Sequence, residues 1–585
     1  MKNVKITING IETTVPENYT VLRAAEDMGY NIPRLCFLKD INETSACRLC
    51  VVNVKNMRGL KNSCTLAVQD GMEVETDSKE IRDSIVQNLQ LLASNHVFEC
   101  WACDRENSCE LLNLMRRYDV DNVYGENLRD FFKKDRQIND TSDSIVLDSG
   151  KCILCGRCVS ACEQFTELNI LDFNERGNET YVGPALFHSM ADSGCIECGK
   201  CIEVCPVAAI KPKSEVDEVL EALEDERKKV IVLPSPSVAV TVGEDFGANI
   251  GTDVSAKLHT AYQLLGFDQV MPYGLGKDLA IVEGSNELID RINDAKDLPL
   301  LASNAPGWMQ YIEQYEKDYL ANVSSAKPAE QISGALAKHY FADALGYNKA
   351  DTVVVSIVPR IDRKHDAKRQ GNHYRGLADV DHVITTSEFA RLLKRQGIQL
   401  LNLEEREQAH GELAQKLINQ SILHPTIGIA EATFKTASQL LQEEAQELDF
   451  KPLKGQDKIE EANYELNGKK VKIARISNVQ SIKEFFRVLK TSNKSYDYVE
   501  MASKQDSNVV GGGSPVQPAK MQDGFNIIGL RNEALATLAE GKTVRRDCYS
   551  KEASSIYNDF LKEAGSELAQ ELLHIEYTPR SYYKD

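Results

Sequence analysis

Polar and apolar residues alternate through MKNVKITINGIETTVP, so residues 2–8 and 11–15 read as two strands joined by the hairpin turn Asn9-Gly10. Thr20 then caps a helix that runs to about Met28. Residues 80–95 read as a helix leading into His96. Residues 110–136 read as mostly helical and charged, and the polar segment 137–150 (QINDTSDSIVLDSG) as a linker. SEVDEVLEALEDERKK is an amphipathic helix with Ser214 as N-cap and Asp217 in the acidic position three residues on. Beyond it the period changes. VIVLPSPSVAV and VVVSIVP (353–359) are buried-strand signals, and AKLHTAYQLLGF, SEFARLLKRQGI and QSIKEFFRVLKTS are helical. Strands alternating with helices predict an α/β region.

At 585 residues the chain exceeds one hydrophobic core, and roughly three to five domains are expected. Its formal net charge of −20 argues against nucleic acid or an anionic membrane as a partner, because phosphate binding needs a basic face. The N-terminus lacks the apolar run of a signal peptide, and no apolar stretch approaches bilayer length, so a cytoplasmic location is expected. Cysteine usage changes the picture most. Fifteen of 16 cysteines fall between Cys36 and Cys205, and 342 residues then pass before Cys548. In a cytoplasmic protein such clusters favour metal or catalysis over disulfides. Cys548 stands alone and reads as an ordinary thiol.

The first group is Cys36, Cys47, Cys50 and Cys64, on a loop after the hairpin and helix. Four thiolates there suit a [2Fe–2S] cluster. A structural zinc site uses the same ligands, but the long first spacing and the hairpin–helix context favour iron. The second group is His96, Cys100, Cys103 and Cys109. A lone histidine is usually a structural residue. Here it shares a short loop with three cysteines at ligand spacing, which favours ligation of a [4Fe–4S] cluster, with zinc again the alternative. The last two groups, CILCGRCVSAC and CIECGKCIEVCP, each repeat the spacing of two-cluster ferredoxins, in which the fourth cysteine serves the other cluster. Cys152, Cys155, Cys158 and Cys205 are therefore expected to hold one [4Fe–4S] cluster. Cys195, Cys198 and Cys201 with Cys162 are expected to hold another.

This cluster order resembles the N-terminal half of the large iron–sulfur subunit of respiratory complex I and, equally, the accessory half of multidomain [FeFe]-hydrogenases. The remainder decides between them, because residues 230–585 resemble the [FeFe]-hydrogenase catalytic domain. VIVLPSPSVAVTVGEDFG, DLAIVEGSNELIDRI, ASNAPGWMQYIE, SIVPRIDRKHDAKR, DVDHVITTSEFARLL, VEMASKQDSNVVGGGSP and IYNDFLKEAGSELAQELLHIEY carry the likeness. The resemblance implies a multidomain α+β and α/β protein. Its parts would be a β-grasp [2Fe–2S] ferredoxin domain (1–78), a one-histidine/three-cysteine cluster domain (79–118), a two-[4Fe–4S] ferredoxin domain (140–212) and a hydrogenase-like α/β domain (214–585). It also implies that the catalytic H-cluster ligands are lost. Where family members carry a proton-relay cysteine and four cluster cysteines, this chain has Asn304, Ala305, Arg360, Ser503 and Ser507, with Asn508 the alternative to Ser507. Arg363 stands where the family has a lysine. A four-iron cluster needs about four soft anionic ligands, and these residues do not supply them.

The expected cofactors are thus one [2Fe–2S] and three [4Fe–4S] clusters without an H-cluster. The expected role is single-electron relay in a soluble NAD(P)- and ferredoxin-linked oxidoreductase complex, with electron bifurcation as one form of it. Resemblance implies a flavin- and NAD(P)-binding iron–sulfur subunit, a small thioredoxin-like [2Fe–2S] subunit, a molybdenum or tungsten formate dehydrogenase and ferredoxin as partners. VVGGGSP (509–515) lacks a following βαβ unit and is not read as a nucleotide site. An iron–sulfur sensor or scaffold, and an active hydrogenase, are the alternatives. The emptied domain reads as a scaffold, or as an anion pocket built on Arg360 and Arg363.

Overall fold

The structure is a computed structural model. It describes the chain except for residues 1, 106–107, 121–135, 273, 303–304, 407–409, 414–421, 424–427, 455, 477–478, 493, 502–508, 541–543, 546–549 and 582–585. Two compact units result: Met1–Ser193 with Lys200–Lys211 and Val516–Phe525, and Gly194–Gly199 with Pro212–Pro515 and Asn526–Asp585.

In the first unit the alternating N-terminus forms strands Asn3–Ile8 and Ile11–Pro16, paired antiparallel. Asn9 and Gly10 both take positive φ (50° and 80°), which gives a hairpin turn the right-handed strand twist. Asn3–Ile8 pairs in parallel with Met72–Glu75, and the sheet continues through Val51–Val54 to Lys61–Asn62. Val4, Ile6 and Ile8 pack against Val21, Leu22 and Ala25 of helix Val21–Asp27, which Thr20 caps through Arg23 N–H at 3.3 Å. Helix Lys79–Ser94 follows, capped by Ser78. Its buried stripe Ile81, Ile85 and Leu89 is spaced by four residues and packs with Leu35, Cys36 and Leu49 of the first cysteine loop. Each of these side chains contributes about 1.5–3 kcal/mol by leaving water.

Two expectations are corrected here. Residues 137–150 are not a linker. They supply strands Ile138–Asn139 and Ile145–Asp148, which join Ile210–Pro212 in a three-stranded sheet. The apolar triplet Ile145-Val146-Leu147 is buried, while the polar residues around it are used locally. Ser142 Oγ accepts from Ser144 and Ile145 N–H, and buried Asp148 takes Arg136 at 2.6 and 3.0 Å. Of the helix expected over 110–136, Glu110–Arg117 is observed, and 121–135 lie outside the described residues.

In the second unit a four-stranded parallel sheet runs Gln269–Val270, Lys229–Pro234, Thr352–Val358, His382–Thr385. Every residue of Thr352–Val358 is buried, as covered parallel strands require. Alternate residues feed two cores. Val230, Val232, Val353, Val355 and Ile357 face one; Ile231, Leu233, Val354 and Val358 face the other. A second sheet contains Leu300–Ala302, Tyr498–Met501, Lys469–Ile476, Gln456–Leu466 and Lys451–Leu453. Helix Gly274–Asp294 packs on helix Ala329–Leu336. The approach is close: a side chain at Gly276 would strike Ser333 and the Ala329 carbonyl.

The helix expected to start at Ser214 is Val216–Glu224. Ser214 Oγ accepts from Val216 N–H at 3.4 Å, but Glu215 occupies the cap position without a side-chain cap. Its carboxylate is drawn instead to Val383 N–H at 2.8 Å, and Asp217 pairs with Arg395. A real capping box sits on helix Thr386–Arg395, where Thr385 and Glu388 satisfy each other's backbone N–H groups.

Candidate metal centres

Cys36, Cys47, Cys50 and Cys64 are all buried on loops between the helix and strands of the first unit. Asp40, Ser45 and Arg48 take positive φ (58°, 57° and 55°), which curls the loop around the thiols. Cys47 N–H donates to Cys36 Sγ at 3.5 Å. The hydrogen bond between the two thiols pulls Cys47 down to about 6 and, with burial, pushes Cys36 far above the usual thiol range. Cys50 and Cys64 repeat this: their shared hydrogen bond raises Cys50 and lowers Cys64. Each pair shares one proton, and Cys36, Cys50 and Cys64 each feel a member of the other pair. To ionise all four sulfurs in so dry a loop needs a cationic core among them, which is the chemistry of an iron–sulfur cluster.

His96 is buried just beyond helix Lys79–Ser94. Its Nδ1 lies 3.0 Å from the Lys151 carbonyl, which can only accept. That bond fixes the tautomer and puts the basic lone pair on Nε2, as metal-binding histidines require. Burial raises Cys109 to about 11, and its neighbours Cys103 and Cys100 add to the effect. Cys109 Sγ also caps helix Glu110–Arg117 by accepting Leu112 N–H at 3.4 Å.

Burial pushes Cys155 up to about 12 and Cys158 well above the ordinary thiol value, and both feel Cys152 and Cys205. The structure therefore gathers these four thiols, including the sequence-distant Cys205. Local geometry repeats in the two motifs. Leu154 and Gly156 take positive φ, as do Glu197 and Gly199. Leu154 N–H donates to Cys152 Sγ at 3.4 Å, and Glu197 N–H to Cys195 Sγ at 3.3 Å. Cys162 Sγ accepts Ile170 N–H at 3.4 Å. Cys162 and Cys201 belong to the first unit; Cys195 and Cys198 belong to the second. Among the described residues, no three histidine, cysteine or carboxylate side chains are set to hold a single metal ion. Grouped thiols, sulfur-directed N–H donors and a tautomer-fixed imidazole fit resident iron–sulfur clusters.

The corresponding loops of the second unit carry a different chemistry. Asn304, Ser503, Ser507, Asn508 and Cys548 lie outside the described residues. Ala305 is buried and precedes helix Pro306–Tyr315. Asp362 Oδ2 accepts Gly307 N–H at 3.1 Å and, with Oδ1, the Arg360 guanidinium. Arg363 pairs with Glu330 at 3.4 Å and Asp366 at 3.9 Å. Burial lifts Glu330 to about 7 against the pull of Arg363, and raises Asp366 similarly. Burial opposes the charge on Asp362 too, but Arg360, Arg363 and the Gly307 N–H bring it below the usual carboxylate range. Arg360 and Arg363, the two cations expected to form an anion pocket, are thus matched by carboxylates, and Arg369 adds a third cation on Asp366 at 3.2 Å. Gly511 and Gly512 let the VVGGGSP segment lie against the segment holding Arg360, with Ile361 N–H donating to the Gly511 carbonyl at 3.1 Å. Sequence reasoning missed Asp362, Glu330 and Asp366, although the charge density of RIDRKHDAKR was a signal.

Comparisons with known proteins agree with this division. Residues 1–79 match the 2Fe-2S iron-sulfur cluster binding domain. Residues 87–123 match the NADH-ubiquinone oxidoreductase-G iron-sulfur binding region, and residues 151–209 the 4Fe-4S dicluster domain. Residues 228–512 match the C-terminal domain of the iron only hydrogenase large subunit, and residues 526–580 the iron hydrogenase small subunit. Iron hydrogenase 1 of Clostridium pasteurianum is 32% identical, covering 98% of this chain and 99% of its own. The NADP-reducing hydrogenase subunit HndD of Solidesulfovibrio fructosivorans is 33% identical, covering 99% and 100%. A solved apo [FeFe]-hydrogenase from Chlamydomonas reinhardtii superposes with a TM-score of 0.55 at 27% identity, covering 63% of this chain and 100% of that one. End-to-end similarity at this level places the chain in the iron-only hydrogenase large-subunit family.

Proposed function

We propose that this protein is a hydrogenase-like iron–sulfur subunit that relays single electrons and does not itself turn over hydrogen. The observation that carries the reading is a contrast within one family member. The upstream thiols are buried or half-buried in cysteine-rich loops, while Ala305 and the Asp362-paired Arg360 stand where the resemblance puts H-cluster ligands. In this reading Cys36, Cys47, Cys50 and Cys64 hold a [2Fe–2S] cluster. His96 with Cys100, Cys103 and Cys109, Cys152 with Cys155, Cys158 and Cys205, and Cys162 with Cys195, Cys198 and Cys201 hold [4Fe–4S] clusters. Bound clusters supply one-electron redox chemistry. The protein contributes buried ligands, N–H donors that stabilise sulfur charge, and exclusion of water.

Similarity over nearly the full chain to an NADP-reducing hydrogenase subunit supports work within a multisubunit assembly. A flavin and NAD(P) subunit, a small [2Fe–2S] subunit, a formate dehydrogenase and ferredoxin are the proposed partners, in the cytoplasm, with bifurcation the proposed use. Among the described residues no helix is long and apolar enough to cross a membrane. Hydrogen uptake and evolution by the purified full-length protein test the central point. Activity above a metal-free blank overturns it. Co-purification from the native organism, with metals and subunits identified, tests the partners.

A further inference from the structure

Arg157 stands between two cysteines of CILCGRC, and its side chain is 1% exposed. Its Nε donates to the Cys36 carbonyl at 3.3 Å, Nη2 to the Phe37 carbonyl at 3.3 Å and Nη1 to the Val204 carbonyl at 3.5 Å. Glu110, the residue after Cys109, receives it bidentately at 2.7 and 3.1 Å. Buried Asn42 lies alongside. Its Nδ2 donates to the Cys36 carbonyl at 2.8 Å and the Cys155 carbonyl at 3.0 Å, while Oδ1 accepts from Ser160 Oγ at 2.8 Å. One guanidinium therefore ties the backbone at Cys36 and beside Cys205 to the side chain of Glu110, next to Cys109, from its own place between Cys155 and Cys158.

Burying a guanidinium is costly, and one carboxylate with three carbonyls is the least that makes it tolerable. A solvated surface residue would not need this arrangement. Arginine is always protonated in proteins, so the charge is permanent. Its field reaches the sulfurs of Cys155 and Cys205. Two other acids face this region. Glu110 also accepts Ala519 N–H at 3.4 Å, and Asp523, which feels Arg157, is paired with Arg34 at 2.6 Å. A cluster gains one negative charge on reduction, and a fixed cation in a low-dielectric site favours that form.

We propose that Arg157 is the positioning residue that sets the reduction potential of the cluster held by Cys152, Cys155, Cys158 and Cys205, with Glu110 as its opposing charge. This rests on the ligand assignment above. The charge raises the potential of that site, so electrons arriving from the Cys36 and Cys109 loops settle there. The rigid five-donor fork keeps the three segments in register.

The test uses the full-length, cluster-loaded protein and redox titrations followed by electron paramagnetic resonance. The relevant signal is the one lost in Cys155→Ser. Arg157→Gln should lower its midpoint by at least a tenfold change in the reduction equilibrium, about 59 mV for a one-electron couple. Arg157→Lys should recover part of that loss. Glu110→Gln should move the same signal upward. Unchanged midpoints at wild-type iron content, or shifts of the same sign in Arg157→Gln and Glu110→Gln, overturn the proposal. If Arg157→Gln loses its cluster, Glu110→Gln decides alone: a rise supports the proposal and no change overturns it. If Cys155→Ser loses no four-iron signal, the ligand assignment itself is overturned, and the proposal with it.

Discussion

Two arginine environments separate the regions of this molecule. Arg157 sits among thiols and backbone carbonyls with one carboxylate on its fork. Arg360 and Arg363 are paired with Asp362, Glu330 and Asp366, and Arg369 also pairs with Asp366. In the first environment the cation stands beside metal-ligand candidates and leaves their sulfurs intact. In the second the cations are neutralised by acids. In the proposed reading the same side chain supports a redox site in one place and closes one in the other, and the difference lies in what charge surrounds it.

Iron analysis gives the largest effect. The loaded protein should hold about 14 iron atoms per chain, and Cys155→Ser should lose about four. Arg360→Cys should gain none, because one thiolate does not make a four-ligand site; a gain would erase the contrast. Next comes Arg363→Met, which leaves buried Glu330 without its arginine while Asp366 keeps Arg369 at 3.2 Å. Denaturant unfolding should show a loss of about 3–5 kcal/mol.

Glu330 sharpens the comparison through pH. Its folded value of about 7 lies above that of an unfolded glutamate, near 4.3. The native state holds this proton more tightly, so its contribution to stability is complete below about pH 4.3 and is lost as pH rises through 7. The total is on the order of 3 kcal/mol, and Asp366 acts in the same direction. Glu330→Gln should flatten that slope in unfolding midpoints taken across this range; an unchanged slope would place the titration elsewhere. The smallest expected effect is a lower midpoint for the second cluster in His96→Cys, because thiolate adds negative charge. A spectrum and potential that do not move would remove His96 from the ligand set.

Much of this was legible beforehand. The hairpin at Asn9-Gly10 and the cap at Thr20 both follow from local spacing. What escaped depended on distant partners. Glu215 leaves its helix cap for Val383 N–H, which no local pattern encodes. Ile145–Leu147 is too short an apolar run to stand out from its polar flanks until the strand Ile210–Pro212 pairs with it. Arg157 looked like spacing between ligands because its five acceptors come from separate stretches of chain. Asp362 and Glu330 were hidden for the same reason, being conspicuous only once an arginine is placed beside them.

The positive-φ turns at Leu154–Gly156 and Glu197–Gly199 have a consequence for speed. Each aims a backbone N–H at sulfur through the shape of the peptide itself. When an electron arrives, the added charge meets dipoles that already point the right way. Little nuclear rearrangement is then required per hop, and the driving force between neighbouring sites can stay small.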